Sequence, residues 1–380
     1  MTMPAAALAA SVRRIAVVCP PGEPLQQLRA SLLGEVLARR HRVLAIAPEF
    51  SGQEARELDA MGAERAQFAF EPHGLKLFAD WKAIGGLKSI LANWAPHVVL
   101  ACGGKTMIYA ALAAKTAGTG RVILLIDDLP EHRFTGALAA DEMPAWRYGQ
   151  ALRAADEAVF YNRDDLGLLK KLGILPDAVP ATVVPGAGVD LDHHSALPLP
   201  PLGQGLVFLM ISSLDKRKGV IEYCEAACAL RERAPNTRFI LATTPVEGAT
   251  AIDPGDLLQY SSGVEIAGAD SDARALLNEC HVFVYPSYGD GMPQPVLEAM
   301  AAGRPILTTN VAGCRETVDE RVNGCLVDPR DTAALVEGIE SYLKRPDLIP
   351  AMARASRAKA ERFCNVKAVK RSLLTALALE

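Results

Sequence analysis

Residues 284–306 read VYPSYGDGMPQPVLEAMAAGRPI. The apolar start predicts a buried strand, and the Gly-rich loop after it leads into a helix that begins at one of two prolines and ends at Gly303. The free N–H groups and the dipole at the start of such a helix suit a diphosphate. Asp290 in the loop and Glu298 in the helix add carboxylates, which accept hydrogen bonds from sugar hydroxyls. The segment predicts a nucleotide-sugar pocket, and the plain alternative is a solvated loop with a surface glutamate.

The same alternation of short β-branched runs and longer amphipathic stretches extends through the whole chain. This pattern is typical of parallel strands that are crossed by helices. Helices are predicted over residues 25–39 and 105–115, among others. The predicted strands are 15–19, 43–47, 98–101, 122–126, 158–161, 206–211, 238–242, 264–267, 282–285 and 306–309.

A hinge is predicted where Gly and Pro concentrate, in the run VPGAGVD at 184–190 and in the proline-rich stretch 198–201. Because a complete sheet pattern lies on each side, we expect two doubly wound, Rossmann-like α/β domains over residues 1–185 and 186–380. Such domains bind ligands at the carboxyl ends of their strands, so the cleft between them is the expected site. The last helix is a candidate to return to the first domain.

The composition excludes several classes of protein. Among 380 residues, 40 Lys and Arg oppose 44 Asp and Glu, so the chain lacks the basic excess of a nucleic-acid binder. The eight cysteines are scattered without a C-x-x-C pair, which indicates a reducing compartment. No apolar run approaches the ~20 residues that span a bilayer, and the first residues lack the basic start of a secretory signal. We expect a cytoplasmic protein that meets a membrane only at its surface.

Two phosphate-binding motifs are incomplete. Gly103-Gly104-Lys105-Thr106 suggests a P-loop, but that motif needs a glycine where Val99 stands. Lys105 and the N–H groups beside it could still hold an anion, and a tight strand-to-helix turn is the alternative. The first strand is followed by PPGEP instead of G-x-G-x-x-G, so dehydrogenase chemistry is not expected.

Several motifs together carry a family resemblance. Residues 290–298 keep the spacing of an E-x7-E motif with Asp290 in its first position, and residues 212–219 read SSLDKRKG. The runs GVD at 188–190 and GCRETV at 313–318 complete the pattern. On these motifs the sequence resembles the retaining GT-B glycosyltransferases of family 4, strongly over residues 184–340 and in outline before them. It looks similar to the bacterial branch that transfers sugars to polyprenyl-diphosphate-linked acceptors in surface-polysaccharide and glycan assembly.

The resemblance implies a hexosyl- or N-acetylhexosaminyltransferase. Its second domain would bind a UDP-linked sugar, and its first a lipid-linked or oligosaccharide acceptor. It implies that Glu298 holds the donor ribose and that Asp290 contacts a hydroxyl of the transferred sugar. Lys218 would neutralise the leaving diphosphate with help from the backbone of Gly291 and Met292. No metal or other cofactor is implied, because lysine and the helix dipole supply the positive charge.

Several of the remaining implied contacts involve positions where this sequence departs from the family's motifs. Asp127 follows a strand where many family members place a histidine, and it would bind an acceptor or sugar hydroxyl unless it only forms a turn. Ser213 stands where the family has an arginine, so Arg217 or Lys216 would have to replace a diphosphate contact. Asp290 is one methylene shorter than the family's glutamate. Other implied donor contacts are Pro293, Arg217, Gly268 and Ser213, and the implied acceptor contacts are Lys105 and Gly22.

The sequence leaves two points open, namely whether the protein contacts a membrane and which reaction it catalyses. Residues 75–94 carry apolar groups at helical spacing with three lysines, which suits either a helix that dips into anionic lipid or one packed on the sheet. The pair Gly85-Gly86, which interrupts the apolar face, favours packing. Ser213 and Asp290 also fit a catalytically silent subunit that binds a nucleotide sugar. A UDP-sugar 2-epimerase on the same fold is the third possibility.

Overall fold

The computed structural model describes residues 12–20, 32–71, 76–129, 144–248, 250–268 and 271–379. Gly22 and the first part of the predicted helix 25–39 lie outside these residues. The acceptor contact assigned to Gly22 therefore stays a prediction.

The described residues of the first half form a parallel sheet in the order β3-β2-β1-β4-β5-β6-β7. In this order the chain moves outward from β1 in one direction and then from β4 in the other, so β1 and β4 flank a topological switch point. Side chains of the central strands are almost fully buried. The strands are β1 (Arg14–Val18), β2 (Arg42–Ala47), β3 (Glu64–Gln67), β4 (Val98–Cys102), β5 (Arg121–Ile126), β6 (Glu157–Phe160) and β7 (Ala181–Val183).

Helices cover this sheet. The alanine-rich helix α4 packs between α3 and α5, and its small side chains allow that close approach. Helix α3 packs on the core through Ala83, Leu87 and Leu91. The helices are α1 (Gly34–Ala38), α2 (Gly52–Met61), α3 (Leu77–Trp94), α4 (Gly104–Ala117), α5 (Ala145–Ala154) and α6 (Arg163–Lys171).

The second half repeats the arrangement with the sheet order β10-β9-β8-β11-β12-β13, again parallel throughout. Its strands are β8 (Val207–Ser213), β9 (Arg238–Thr244), β10 (Glu265–Ala267), β11 (Val282–Tyr285), β12 (Ile306–Thr309) and β13 (Gly324–Val327). Its helices are α7 (Val220–Leu230), α8 (Ala273–Glu279), α9 (Gln294–Ala301), α10 (Thr332–Lys344), α11 (Ile349–Phe363) and α12 (Val366–Ala376). Across the part of the chain that the structure describes, no helix has the length and apolar character needed to cross a bilayer.

The expected fold class is confirmed, since the chain forms two Rossmann-like α/β domains. Every predicted strand is present, with each end within two residues of the predicted position. Strands β3, β7 and β13 were not predicted. The side chains of β3 are mostly exposed, so this edge strand lacks the apolar pattern that marks a buried one.

The end of the chain contacts both the linker and the first half of the chain, where the Arg39 guanidinium donates to the Leu379 carbonyl at 2.9 Å. The Val189 N–H donates to the Cys364 carbonyl at 2.7 Å, and the Val366 N–H donates back to the Val189 carbonyl at 3.0 Å. Helix α12 then buries Leu373 and Leu374 in a core cluster shared with both domains. This packing fixes the linker and brings the two domains together at its side of the molecule.

A second junction joins the start of α6 to the segment GCRETV. The Arg315 Nε atom lies 3.2 Å from Asp164 Oδ2. The Arg163 N–H donates to Glu316 Oε1 at 2.5 Å. Residues of a motif that carries the family resemblance thus contact the first domain.

Candidate active site

A cavity of about 550 Å³ lies between the domains at the carboxyl ends of their strands. The first domain contributes the residues after β5 and β6, and the second contributes the ends of β8, β9 and β11 with the loop before α9. This is the position at which doubly wound domains bind ligands. Lining residues include Asp127, Asp128, Tyr161, Ser212, Ser213, Lys218, Thr243, Gly268, Tyr285, Asp290, Gly291, Met292, Pro293 and Gln294.

Lys218 and Asp290 form an ion pair inside this cavity. The Lys218 Nζ atom lies 2.5 Å from Asp290 Oδ2, and the Tyr285 hydroxyl donates to the same oxygen at 2.8 Å. Lys218 ends a 3₁₀ helix after β8, while Asp290 belongs to the loop after β11. Because β8 and β11 are hydrogen-bonded neighbours, the sheet itself brings these two loops together.

Gly219 holds the lysine turn against the neighbouring loop. Its φ is +75°, and a Cβ atom there would lie 2.1 Å from the Pro286 carbonyl oxygen. Only glycine tolerates both the left-handed backbone and this approach. The Lys218 side chain is therefore directed at Asp290 by the backbone next to it.

The start of α9 faces the cavity through Gln294 and Pro295. No side chain of the described residues caps this helix; Pro293 occupies the N-cap position. Exposed N–H groups at a helix start attract anions, and Lys218 lies on the same wall. This wall is suited to a diphosphate.

Asp127 faces Asp290 from the first domain. Burial, then the neighbouring Asp128 carboxylate, raises the pKa of Asp127 from its ordinary 3.8 to about 7, and Asp290 contributes in the same direction. A carboxyl group with this pKa can either donate or accept a proton near neutrality.

The two domains touch at the cavity floor. A Cβ atom on Gly291 would lie 1.4 Å from the carbonyl oxygen of Asp127, so only a residue without a side chain fits between the two loops. From the first domain, the Asn162 Nδ2 atom donates to the Gly291 carbonyl at 2.9 Å. The glycine loop is thus held by both domains.

Comparison with known proteins finds a family match within the second domain. The model of the family "Glycosyl transferases group 1" matches residues 205–345. These residues form a glycosyltransferase group 1 domain. The match contains Lys218, Asp290 and the glycine loop, so the ion pair lies within the part of the chain that defines the domain.

Relatives extend over most of the chain. It is 24% identical over 347 residues to N,N'-diacetylbacillosaminyl-diphospho-undecaprenol alpha-1,3-N-acetylgalactosaminyltransferase of Campylobacter jejuni, covering 87% of this chain and 89% of the relative. It is 23% identical over 292 residues to UDP-Gal:alpha-D-GlcNAc-diphosphoundecaprenol alpha-1,3-galactosyltransferase of Escherichia coli, covering 70% and 71%. The solved structure of Anabaena Alr3699/HepE in complex with UDP has the same GT-B fold, with a TM-score of 0.75 at 15% identity, and covers 97% of this chain and 100% of that one.

Most of the predicted site residues of the group 1 domain meet at the cavity. Ser213, Lys218, Gly268, Asp290, Gly291, Met292 and Pro293 all line it, and Asp127 lines it from the other domain. Glu298 and Arg217 do not form part of its wall. Glu298 accepts from Gln294 Nε2 at 3.3 Å, with the His194 ring 3.9 Å away, and Arg217 is ion-paired with Asp215. Their donor contacts therefore remain predictions.

The structure gives Lys105 a different environment from the predicted anion site. Its Nζ atom lies 3.1 Å from Asp80 Oδ1 and donates to the Glu71 carbonyl at 2.7 Å, and the lysine side chain is only 6% exposed. The ammonium is already neutralised by α3 and does not line the cavity. The structure therefore does not bring Lys105 to the cavity, and its acceptor contact stays a prediction. The sequence pattern around Lys105 does not reveal the distant carboxylate that pairs with it.

We expect Lys105→Ala to destabilise the protein by about 3–5 kcal/mol, because it leaves the buried Asp80 carboxylate without its cation. Urea unfolding followed by circular dichroism measures the loss. The double variant Lys105→Met/Asp80→Leu is the control, since it removes both charges and should regain most of the stability. Equal stability of wild type and Lys105→Ala would contradict the buried pair.

Asn162 and Tyr161 were missed by sequence reasoning. An asparagine between a strand and a helix, with Asp165 three residues later, indicates a helix cap. Nothing in that local pattern indicates that the same side chain reaches Gly291. Contacts of this kind follow from the packing of the domains, which the sequence motifs do not record.

Proposed function

We propose that the protein is a retaining glycosyltransferase that moves a hexosyl or N-acetylhexosaminyl group from a UDP-linked sugar to a polyprenyl-diphosphate-linked acceptor in glycan assembly. The observation that carries the proposal is the Lys218–Asp290 pair at the carboxyl ends of β8 and β11, with Asp127 facing it from the first domain. The two relatives described above support the acceptor class, because their names specify sugars linked to undecaprenol diphosphate. The name of the Escherichia coli relative also specifies UDP-Gal.

In this proposal, the donor diphosphate binds against Lys218 and the start of α9. Asp290 accepts a hydrogen bond from a hydroxyl of the transferred sugar, and the Tyr285 hydroxyl keeps that carboxylate in place. The bond between the anomeric carbon and the diphosphate oxygen breaks while the acceptor hydroxyl attacks from the same face. The departing phosphate oxygen takes the acceptor's proton, so the products are the glycosylated acceptor and UDP. Lys218 stabilises the charge on the leaving group.

Asp127 is assigned to the acceptor side. It faces Asp290 across the cavity, and its pKa of about 7 allows it to bind a hydroxyl as donor or as acceptor. The family's histidine at this place would offer the same choice near neutrality. The proposal needs no metal ion, because lysine and the helix dipole supply positive charge at the diphosphate.

Transfer from a panel of UDP-sugars to a synthetic polyprenyl-diphosphate sugar tests the proposal. We expect UDP release together with a lipid product that is heavier by one hexose or N-acetylhexosamine, with the anomeric configuration of the donor kept in its NMR spectrum. UDP binding without transfer to any acceptor would favour a silent subunit. Inversion of the sugar without an acceptor would favour an epimerase. An inverted linkage would overturn the retaining mechanism.

The outer face of α3 is the proposed membrane contact. Phe78 is 79% exposed and Trp81 is 73% exposed, and their ring centroids are 6.5 Å apart. Lys82 and Lys88 are exposed on the same helix. Exposed aromatic rings beside lysines suit the interface of an anionic bilayer, where each lysine contributes about 1 kcal/mol. A cytoplasmic protein with this face would reach a lipid-linked acceptor at the inner side of the membrane.

We expect Phe78→Ala/Trp81→Ala to lower binding to phosphatidylglycerol vesicles at least about tenfold, because two exposed apolar anchors are lost. Co-sedimentation measures the bound fraction, and phosphatidylcholine vesicles separate the electrostatic part. Trp146→Ala is the matched control, because Trp146 is exposed on α5 at another place in the first domain. Equal binding of the double variant and the wild type would refute this contact.

A further inference from the structure

Asn162 does more than cap a helix. It follows β6 and precedes α6, and its Oδ1 atom accepts from the Asp165 N–H at 2.8 Å, as an N-cap does. That bond occupies only the oxygen of the amide. Asn162 is fully buried, so its Nδ2 group must find partners within the protein.

The Nδ2 group bonds to both domains. It donates to the Gly291 carbonyl at 2.9 Å and to Asp165 Oδ2 at 2.8 Å. The same Asp165 oxygen accepts from the Leu129 N–H at 3.2 Å. A chain of hydrogen bonds therefore runs from the loop that carries Asp127, through Asp165 and Asn162, to the glycine loop beside Asp290.

This chain of hydrogen bonds lies beside the close approach of Gly291 to the Asp127 carbonyl. Asp165 is 2% exposed, so water does not compete for its hydrogen bonds. Burial, and then the Asp128 carboxylate, raises the pKa of Asp165 to about 8. A cap alone does not need an asparagine, because serine and aspartate cap equally well. Neither replaces the amide group here, since serine is too short to bridge both partners and aspartate has no N–H to donate.

We propose that Asn162 is a positioning residue. It fixes the distance between the loop that carries Asp127 and the glycine loop of residues 286–293. The inference rests on the proposed transferase function, because it assigns the two loops to acceptor and donor. Asn162 does not line the cavity and acts through the Gly291 carbonyl. Reacting groups must be held closely for transfer, and a displacement of about 1 Å costs about a hundredfold in rate.

Asn162→Ser is the main test, in the full-length protein. Serine keeps the cap of α6 and removes the bridge, so we expect kcat to fall about 10- to 100-fold while the Kd for UDP changes less than about threefold. Asn365→Ser is the matched control, because Asn365 caps α12 through its side chain in the same way. That control keeps the cap of its helix and should keep its kcat.

Hydrogen–deuterium exchange gives a readout that does not need turnover. We expect faster exchange in the peptides that contain Leu129 and residues 289–293 of Asn162→Ser, while α6 stays protected. If the serine variant does not fold, Asn162→Asp keeps the cap and the size of the side chain and lacks both donors, and the same exchange pattern is expected. A kcat like that of the wild type, or unchanged exchange in both loops, would overturn the inference. Wild-type protein that transfers no sugar would instead count against the proposed function, since the exchange result stands without activity.

Discussion

Lys218→Ala is expected to lower kcat by at least about a hundredfold. Lys218 lines the same cavity as the start of α9, and the reaction proposed here builds negative charge on a departing diphosphate. Removal of one well-placed donor to such a charge typically costs about 3–4 kcal/mol. Alanine has a further effect, because it leaves Asp290 without its cation, and this carboxylate then repels the diphosphate. Initial rates of UDP release at saturating donor measure the loss.

The neighbouring lysine is the control for Lys218. The sequence left Lys216 open as a replacement for the diphosphate contact that is lost at Ser213. Lys216 is exposed in the same 3₁₀ helix and does not line the cavity, so Lys216→Ala should keep kcat within about threefold. The double variant Lys218→Ala/Asp290→Asn separates the two effects of the lysine. It should bind UDP more tightly than Lys218→Ala, because the repelling carboxylate is gone, yet its kcat should stay low. Wild-type turnover in Lys218→Ala would mean that the diphosphate leaves from another place.

The fold and the glycine loop could be predicted because short, continuous stretches of sequence indicate both. Buried parallel strands are short apolar runs, and the loop 286–293 is a compact succession of Gly, Pro and acid. Strand β7 was missed because three half-exposed residues carry no clear pattern. The sequence predicted separate roles for Lys218 and Asp290 but not their ion pair. The two residues meet because β8 and β11 are neighbours in the sheet.

The contacts between distant segments could not be predicted in the same way. Lys105 looked like an anion ligand because its partner Asp80 lies in another helix, and only the packing of α3 on α4 brings the two together. The approach of Gly291 to Asp127 depends on how the domains are joined, including the return of α12. A motif records which residue types a site contains. The distances between its parts come from the tertiary structure.

Gly291→Ala is expected to lower kcat at least about a hundredfold and to lower the Tm as well. The added Cβ atom would lie 1.4 Å from the Asp127 carbonyl oxygen and 2.5 Å from the Asp127 carbonyl carbon. Both distances are much shorter than a van der Waals contact. These are backbone atoms, so no side-chain rotation relieves the overlap and the two loops must move apart. That movement separates Asp127 from Asp290 and stretches the bond from Asn162 to the Gly291 carbonyl. Transfer rates and thermal unfolding measure the two losses.

Gly289→Ala is the matched control, because it lies in the same loop and a Cβ atom there meets nothing within 4 Å. It should keep both kcat and Tm close to wild type. Gly291→Ala should also retain UDP affinity better than Lys218→Ala does, since the diphosphate wall belongs to the second domain alone while transfer needs both domains. If Gly291→Ala and Gly289→Ala behaved alike, the domains would not meet at this glycine during the reaction, and the acceptor side of the site would have to be sought elsewhere than at Asp127.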